Sequence, residues 1–139
     1  MALTDAETWL RLAGENIEAS AVMRARGNFR SAVSRAYYAA HHAAHALLLA
    51  SGAKAPSPRG NWKHGALPGE VRSSIRNAEG DLSQNARWAD YFHQCLQDCY
   101  NLRVQADYKP FDPVDDAHAS DSLRLARALT RQAQETLNG

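Results

Sequence analysis

The sequence predicts an all-α fold: an antiparallel up-and-down bundle of four long helices plus one short helix, in a single domain over residues 1–139. Three observations carry this. Apolar residues recur at helical spacing in long segments, and no segment reads as a strand. Hydrophobic residues make up 45% of the chain, much of it alanine, so helices must pack closely. Glycine and proline gather at Gly27, Gly52, the stretch 53–67, Gly80, Pro110 and Pro113, and these points divide the chain into helical segments.

Thr4 can cap the first helix, with Glu7 completing a capping box. Trp9, Leu10, Ala13, Ile17 and Ala21 carry that helix to about Arg26, where Gly27 breaks it. Asn28 can cap the second helix, which ends at Gly52. Residues 53–67 form a loop rich in Pro, Gly and Lys, long for a bundle and of the length that often serves function. Pro68 opens a short third helix to about Ala78. A turn over Gly80–Ser83 leads to a fourth helix, from about Gln84 to Tyr108, which Pro110 and Pro113 stop. The last helix covers about Val114 to Leu137.

The second helix is the most informative stretch, reading SRAYYAAHHAAHALL from Ser34 to Leu48. At 100° per residue, Phe29, Val33, Ala36, Ala40, Ala43 and Leu47 form one apolar stripe. Arg35, Tyr38 and His42 line one flank, and Ser34, Tyr37, His41 and Leu48 the other. His41 reads as a packing residue, and His45, furthest from the stripe, as a solvated one. In the fourth helix the stripe is Trp88, Phe92, Leu96, Cys99 and Ala106, with Arg103 near its centre and Asp107 one turn on. A guanidinium in a core seam is costly unless paired. Either Arg103 and Asp107 form a structural ion pair, or Arg103 faces a polar cleft between helices two and four. The second reading brings Arg35, Tyr38 and His42 near Arg103 and Asp107.

Net charge is +1 but uneven. From Arg24 to Arg76 there are nine Lys or Arg and one acid, Glu70; the rest has seven basic and fourteen acidic residues. Either the basic stretch meets an anion such as RNA, or the two parts neutralise each other within the bundle. No run is long and apolar enough to span a membrane, and MALTDAETW lacks a signal pattern. Cys95 and Cys99, four apart on one helix, are poorly placed for a mutual disulfide, so a reducing cytoplasm is expected. His41 with His45 and Cys95 with Cys99 have a spacing that two helices could use for zinc. The cysteines read better as small core residues, and neither metal nor cofactor is expected.

The series SRAYYAAHHAAHALLLASG, a loop with KHG, and NLRVQADYKPFDP resembles the HEPN family, in particular a small prokaryotic branch with an SRAYYA helix and an RxxADY helix. The resemblance spans nearly the whole chain. It implies an all-α bundle, commonly a homodimer, often paired with a minimal nucleotidyltransferase as toxin and antitoxin. Active members are metal-independent endoribonucleases with an Arg–x(4–6)–His motif; others bind a nucleotide or a partner without cleaving. Here Tyr108 stands where a histidine would follow Arg103, and an Arg-to-His spacing occurs instead from Arg35 to His41 or His42.

Metal-free RNA cleavage needs an acid, a base and positive charge on the phosphorane. Histidine suits the first two roles and arginine the third. The expected catalytic set is therefore Arg35, His42 and Arg103. Tyr38, His64, Asp107 and Tyr108 are expected to support it. The partners expected are RNA or a nucleotide, a nucleotidyltransferase antitoxin, and a second copy of the chain, for which Trp62 and Trp88 are candidate contacts. The function expected is a toxin-like endoribonuclease of a toxin–antitoxin or defence system. The alternative is a non-catalytic module that binds a nucleotide or a nucleotidyltransferase.

Overall fold

The computed structural model describes residues 3–56 and 61–139, and over these the chain forms five helices and no strand. They are α1 (Asp5–Ala25), α2 (Phe29–Ala50), α3 (Leu67–Arg76), α4 (Leu82–Tyr108) and α5 (Asp116–Asn138). Arg59 of the basic stretch, with the loop around it at 57–60, lies outside the described residues.

Local chemistry sets most boundaries. Thr4 and Glu7 form the capping box of α1, with reciprocal bonds of 3.2 and 3.1 Å. Gly27 and Gly52 follow α1 and α2 with φ of +77° and +85°, a conformation that side chains with a Cβ rarely adopt. Asn28 occupies the N-cap position of α2, but its side chain makes no capping bond. The fourth helix starts at Leu82, two residues before the expected Gln84, because Asp81 accepts from the amides of Ser83 and Gln84 at 2.9 and 3.1 Å. The fifth starts at Asp116, where Asp115 and His118 cap it reciprocally.

The second helix is the centre of the bundle, in contact with all four others. Thirteen of its 22 residues are buried, seven of them alanine, so it is covered well beyond the single stripe that its periodicity suggests. Alanine is what lets neighbours approach from several sides. Larger residues fill the ends of the core: Leu47 and Leu48 of α2 with Leu67, Val71, Leu123 and Leu129. Burying each such Leu is worth about 1.5–3 kcal/mol.

This central position corrects the expectation for His45. His45 is fully buried rather than solvated: Trp9 of α1 stacks on its ring at 4.4 Å and Trp62 covers it from the loop. Trp62 is itself buried against the bundle. Trp88, by contrast, lies outside the core with 46% of its surface exposed.

Much of the basic stretch is committed to the fold. Arg24 pairs with Asp116 at 2.7 and 3.1 Å, tying α1 to α5. Arg72 and Arg76 reach Asp90 at 3.4 and 3.7 Å, tying α3 to α4. Arg30 closes the C-terminus of α4. Its guanidinium donates to the carbonyls of Gln105, Ala106, Lys109 and Pro110 at 2.9–3.2 Å, and also to that of Asp112. A helix end leaves its last carbonyls without partners, and a cation there also complements the helix dipole. For Arg24, Arg72 and Arg76 the two charged parts of the chain do neutralise each other.

Candidate functional site

The seam between α2 and α4 brings Arg103, which interrupts the apolar stripe of α4, to Tyr38 on the flank of the α2 stripe. Arg103 Nε donates to Asp107 Oδ2 at 3.0 Å, and Nη2 donates to the hydroxyls of Tyr38 and Tyr108 at 3.3 and 3.4 Å. The guanidinium carbon lies 5.4–5.6 Å from the ring centres of Tyr37, Tyr38 and Tyr108, within cation–π range of all three. The side chain is only 15% exposed. Its Nη1 has no hydrogen-bond partner among the described residues, yet it is not sealed from water. Burial works against its charge, but the tyrosine oxygens and the Asp107 carboxylate outweigh it and raise its pKa. So this is both a paired arginine and one with a donor still to give.

Tyr37 joins the arginine to a histidine. Its buried ring lies 5.4 Å from the guanidinium carbon and 5.5 Å from the His64 ring. Its hydroxyl is hydrogen-bonded to His64 Nδ1. Burial pushes the phenol's pKa up, so Tyr37 stays neutral. Burial and, after it, the charge of Arg103 lower the pKa of His64, which is therefore a neutral imidazole at pH 7. Its Nε2 makes no hydrogen bond within the described residues.

Behind His64 runs a column of rings. His41 lies 4.3 Å from His64 and 4.6 Å from His45, and Trp9 closes the stack. His45 is fixed in one tautomer. Its Nε2 accepts from the Trp62 amide at 3.0 Å, so Nδ1 carries the proton and donates to the His41 carbonyl at 2.9 Å. Both ring nitrogens of His41 are buried without a hydrogen-bond partner. Burial, reinforced by the neighbouring histidines, pushes its pKa down to about 3.

Of the residues singled out in the sequence, Arg103, Tyr38, Asp107, Tyr108 and His64 fall in one connected cluster. His42 and Arg35 do not join it by any direct bond. The His42 ring turns to α1, where Nδ1 accepts from Asn16 Nδ2 at 3.2 Å and Trp9 lies 5.3 Å away. Arg35, one turn before Tyr38 on α2, is exposed and makes no hydrogen bond or ion pair with the described residues. Cys95 and Cys99 are free, buried thiols, and no group of three metal-ligating side chains forms among the described residues.

Tyr37, Tyr100 and Gln97 were not singled out as site residues. Tyr37, on one flank of the α2 stripe, is the link between Arg103 and His64. Tyr100 is one turn before Arg103 on α4 and meets the Tyr37 ring edge-on at 5.8 Å. Its spacing from Arg103 was the available signal.

Comparison with known proteins agrees with the all-helical fold. The HEPN domain family model matches residues 6–136. Among solved structures, TT1696 from Thermus thermophilus superposes with a TM-score of 0.67 at 21% identity, covering 97% of this chain and 100% of that one. At that identity the likeness is one of fold. No curated protein matches the sequence. A family match over nearly the whole length, on a five-helix bundle in which the SRAYYA and RxxADY segments meet, places this chain in the HEPN-domain family.

Proposed function

We propose that the protein is a metal-independent endoribonuclease of a prokaryotic toxin–antitoxin or defence pair, and that the Arg103 cluster is where it handles the scissile phosphate. The observation that carries this is a largely buried arginine, held by Tyr38, Tyr108 and Asp107, whose Nη1 has no partner among the described residues and whose charge acts on a neutral histidine. Preorganised charge in a partly desolvated site is the most effective stabiliser of a developing oxyanion.

The chemistry balances without water or metal. The RNA 2′-hydroxyl loses its proton to His64 Nε2 as its oxygen attacks the adjacent phosphorus. Negative charge builds on the non-bridging oxygens, where Arg103 meets it. The bond to the 5′ oxygen breaks, and that oxygen takes a proton from a phenol of the cluster, Tyr38 or Tyr108. The products are a 2′,3′-cyclic phosphate and a 5′-hydroxyl. In this reading Arg35 serves as a further phosphate contact along α2. His42, held by Asn16 and Trp9, positions α2 against α1, and the proton transfer first expected of it passes to His64.

The test is cleavage of a panel of single-stranded and tRNA-like RNAs in EDTA. Wild type should cut, His64→Ala should be slower by ~10²–10⁴-fold, and a folded Arg103→Ala should bind RNA without cutting it. Circular dichroism establishes that each variant folds.

A second reading, a non-catalytic HEPN module that binds a nucleotide or a nucleotidyltransferase partner, is favoured by one observation. His42 commits Nδ1 to Asn16 and His41 is sealed in the core, which leaves His64 as the one imidazole at the cluster among the described residues. Intact RNA across the panel, together with Arg103-dependent nucleotide binding, would select it.

A further inference from the structure

Beside the Arg103 cluster, a pocket of about 130 Å³ opens between α2, α4 and the start of α3. It is well below the ~300–1,000 Å³ of sites for drug-sized ligands, and suits one flat ring system. Its lining includes three aromatic rings, Tyr37, His64 and Tyr100, and two leucines, Leu67 and Leu96. The remaining polar group is the amide of Gln97. That amide is half-buried and makes no hydrogen bond with the described residues, unlike Gln94 nearby, which bonds Asp98 at 2.8 Å. An aromatic-lined cavity with an uncommitted carboxamide at its wall has the chemistry of nucleobase recognition. Rings offer stacking, which any base can use. An amide presents a donor and an acceptor side by side, which only a base in the right orientation can meet.

The pocket is also in register with the phosphate site. Tyr37 and His64 belong to both. Tyr100 and Arg103 are one turn apart on α4, ~4.5 Å along its axis. A base in the pocket and its own phosphate on Arg103 Nη1 are thus within the reach of a single nucleotide.

We propose that this pocket holds one unpaired nucleobase of the RNA, stacked on Tyr100 and read at its edge by Gln97. The assignment rests on the reading of Arg103 as the phosphate site. It makes the protein selective for the base next to the bond it cuts, rather than for RNA shape alone. Adenine, whose edge pairs best with a carboxamide, is the expected occupant.

The experiment is titration of the full-length protein with AMP, GMP, CMP, UMP and ribose 5-phosphate, followed by calorimetry or by NMR. AMP should bind at least about 5-fold tighter than ribose 5-phosphate, the low end of what stacking on an aromatic ring contributes. Gln97→Leu should level the four nucleotides, and Tyr100→Ala should weaken all four, while neither changes ribose 5-phosphate binding. Both side chains reach the surface of the pocket, and circular dichroism checks that the variants fold. Arg103→Ala should weaken the nucleotides and ribose 5-phosphate together. The pocket assignment is overturned if nucleotides bind no tighter than ribose 5-phosphate, or if Gln97→Leu leaves their order unchanged. In the first case, Arg103-dependent binding of ribose 5-phosphate would still leave the phosphate site standing. Gln97-dependent nucleotide binding by a protein that cuts no RNA would uphold the pocket and remove the nuclease.

Discussion

Two residues at the site make separable claims. His64 is held neutral by partial burial and by Arg103, so as a base it is ready at pH 7. Its pKa lies below the ordinary histidine value of ~6.5. The acid limb of the pH–rate profile should therefore fall below that pH, and His64→Ala should abolish the limb as it lowers the rate. A limb centred above 6.5 would point to another base. Arg35 is exposed and unpaired among the described residues, which fits a phosphate contact rather than a structural role. Arg35→Ala should leave the melting temperature within about a degree, weaken RNA binding across all sequences, and reduce the magnitude of the salt slope by ~1. An unchanged salt slope would remove Arg35 from the interface.

At the scale of elements, the Arg30 cap is the most consequential contact outside the core. It fixes the end of α4 and the turn that follows, where Phe111 is 98% exposed. The same turn follows directly on Tyr108, a ligand of Arg103. Arg30→Ala should cost about 1–3 kcal/mol, the worth of a charged hydrogen-bonding group whose partners lose it. It should also loosen Tyr108, so that cleavage falls while the rest of the bundle stays folded. Thermal melts with amide exchange at residues 105–112 read both effects, and full protection there in the variant would show that Arg30 does not organise this turn.

The elements also show what the sequence could and could not disclose. Thr4 and Glu7, Gly27 and Gly52 marked their helix ends because capping and positive φ are local chemistry. The α2–α4 seam was legible because Arg103 interrupts the apolar stripe of α4 and Tyr38 flanks that of α2, and the seam brings them to 3.3 Å. The environment of the histidines was not. A periodicity argument assigns one buried face, and α2, with four neighbours, has almost no outer face. So His45 read as a surface residue while Trp9 and Trp62, distant in sequence, enclose it. For the same reason His42 read as a partner of Arg103, when α1, whose packing angle no pattern reveals, offers it Asn16 and Trp9. The link through Tyr37 depends on where a loop histidine docks, which is a tertiary fact.

Across the whole molecule, a column of neutral histidines makes stability depend on pH. Burial lowers the pKa of His41, His42, His45 and His64 in the fold, His41 to about 3. In the unfolded chain each titrates near 6.5. Between those values the unfolded state binds more protons, so stability is full above pH ~6.5 and is lost as pH falls below it. Each histidine contributes a slope of at most about 1.4 kcal/mol per pH unit. The melting temperature should drop steeply from pH 6.5 to 4.5, and His41→Leu, which replaces an unpartnered buried imidazole, should flatten the drop. A melting temperature level across that range would show the column to be solvated in solution.

The whole molecule is also what a cleavage reaction reports on, since α2, α4 and the loop must all be in place to join Arg103, Tyr37 and His64. The most direct measurement is mass spectrometry of the ends left on a short RNA incubated with the purified protein in EDTA. Cleavage at the Arg103 cluster should leave 2′,3′-cyclic phosphate and 5′-hydroxyl ends, which disappear with Arg103→Ala and with a 2′-deoxy nucleotide at the cut. Intact RNA, or ends bearing 3′-hydroxyl and 5′-phosphate that form only when magnesium is restored, would contradict it.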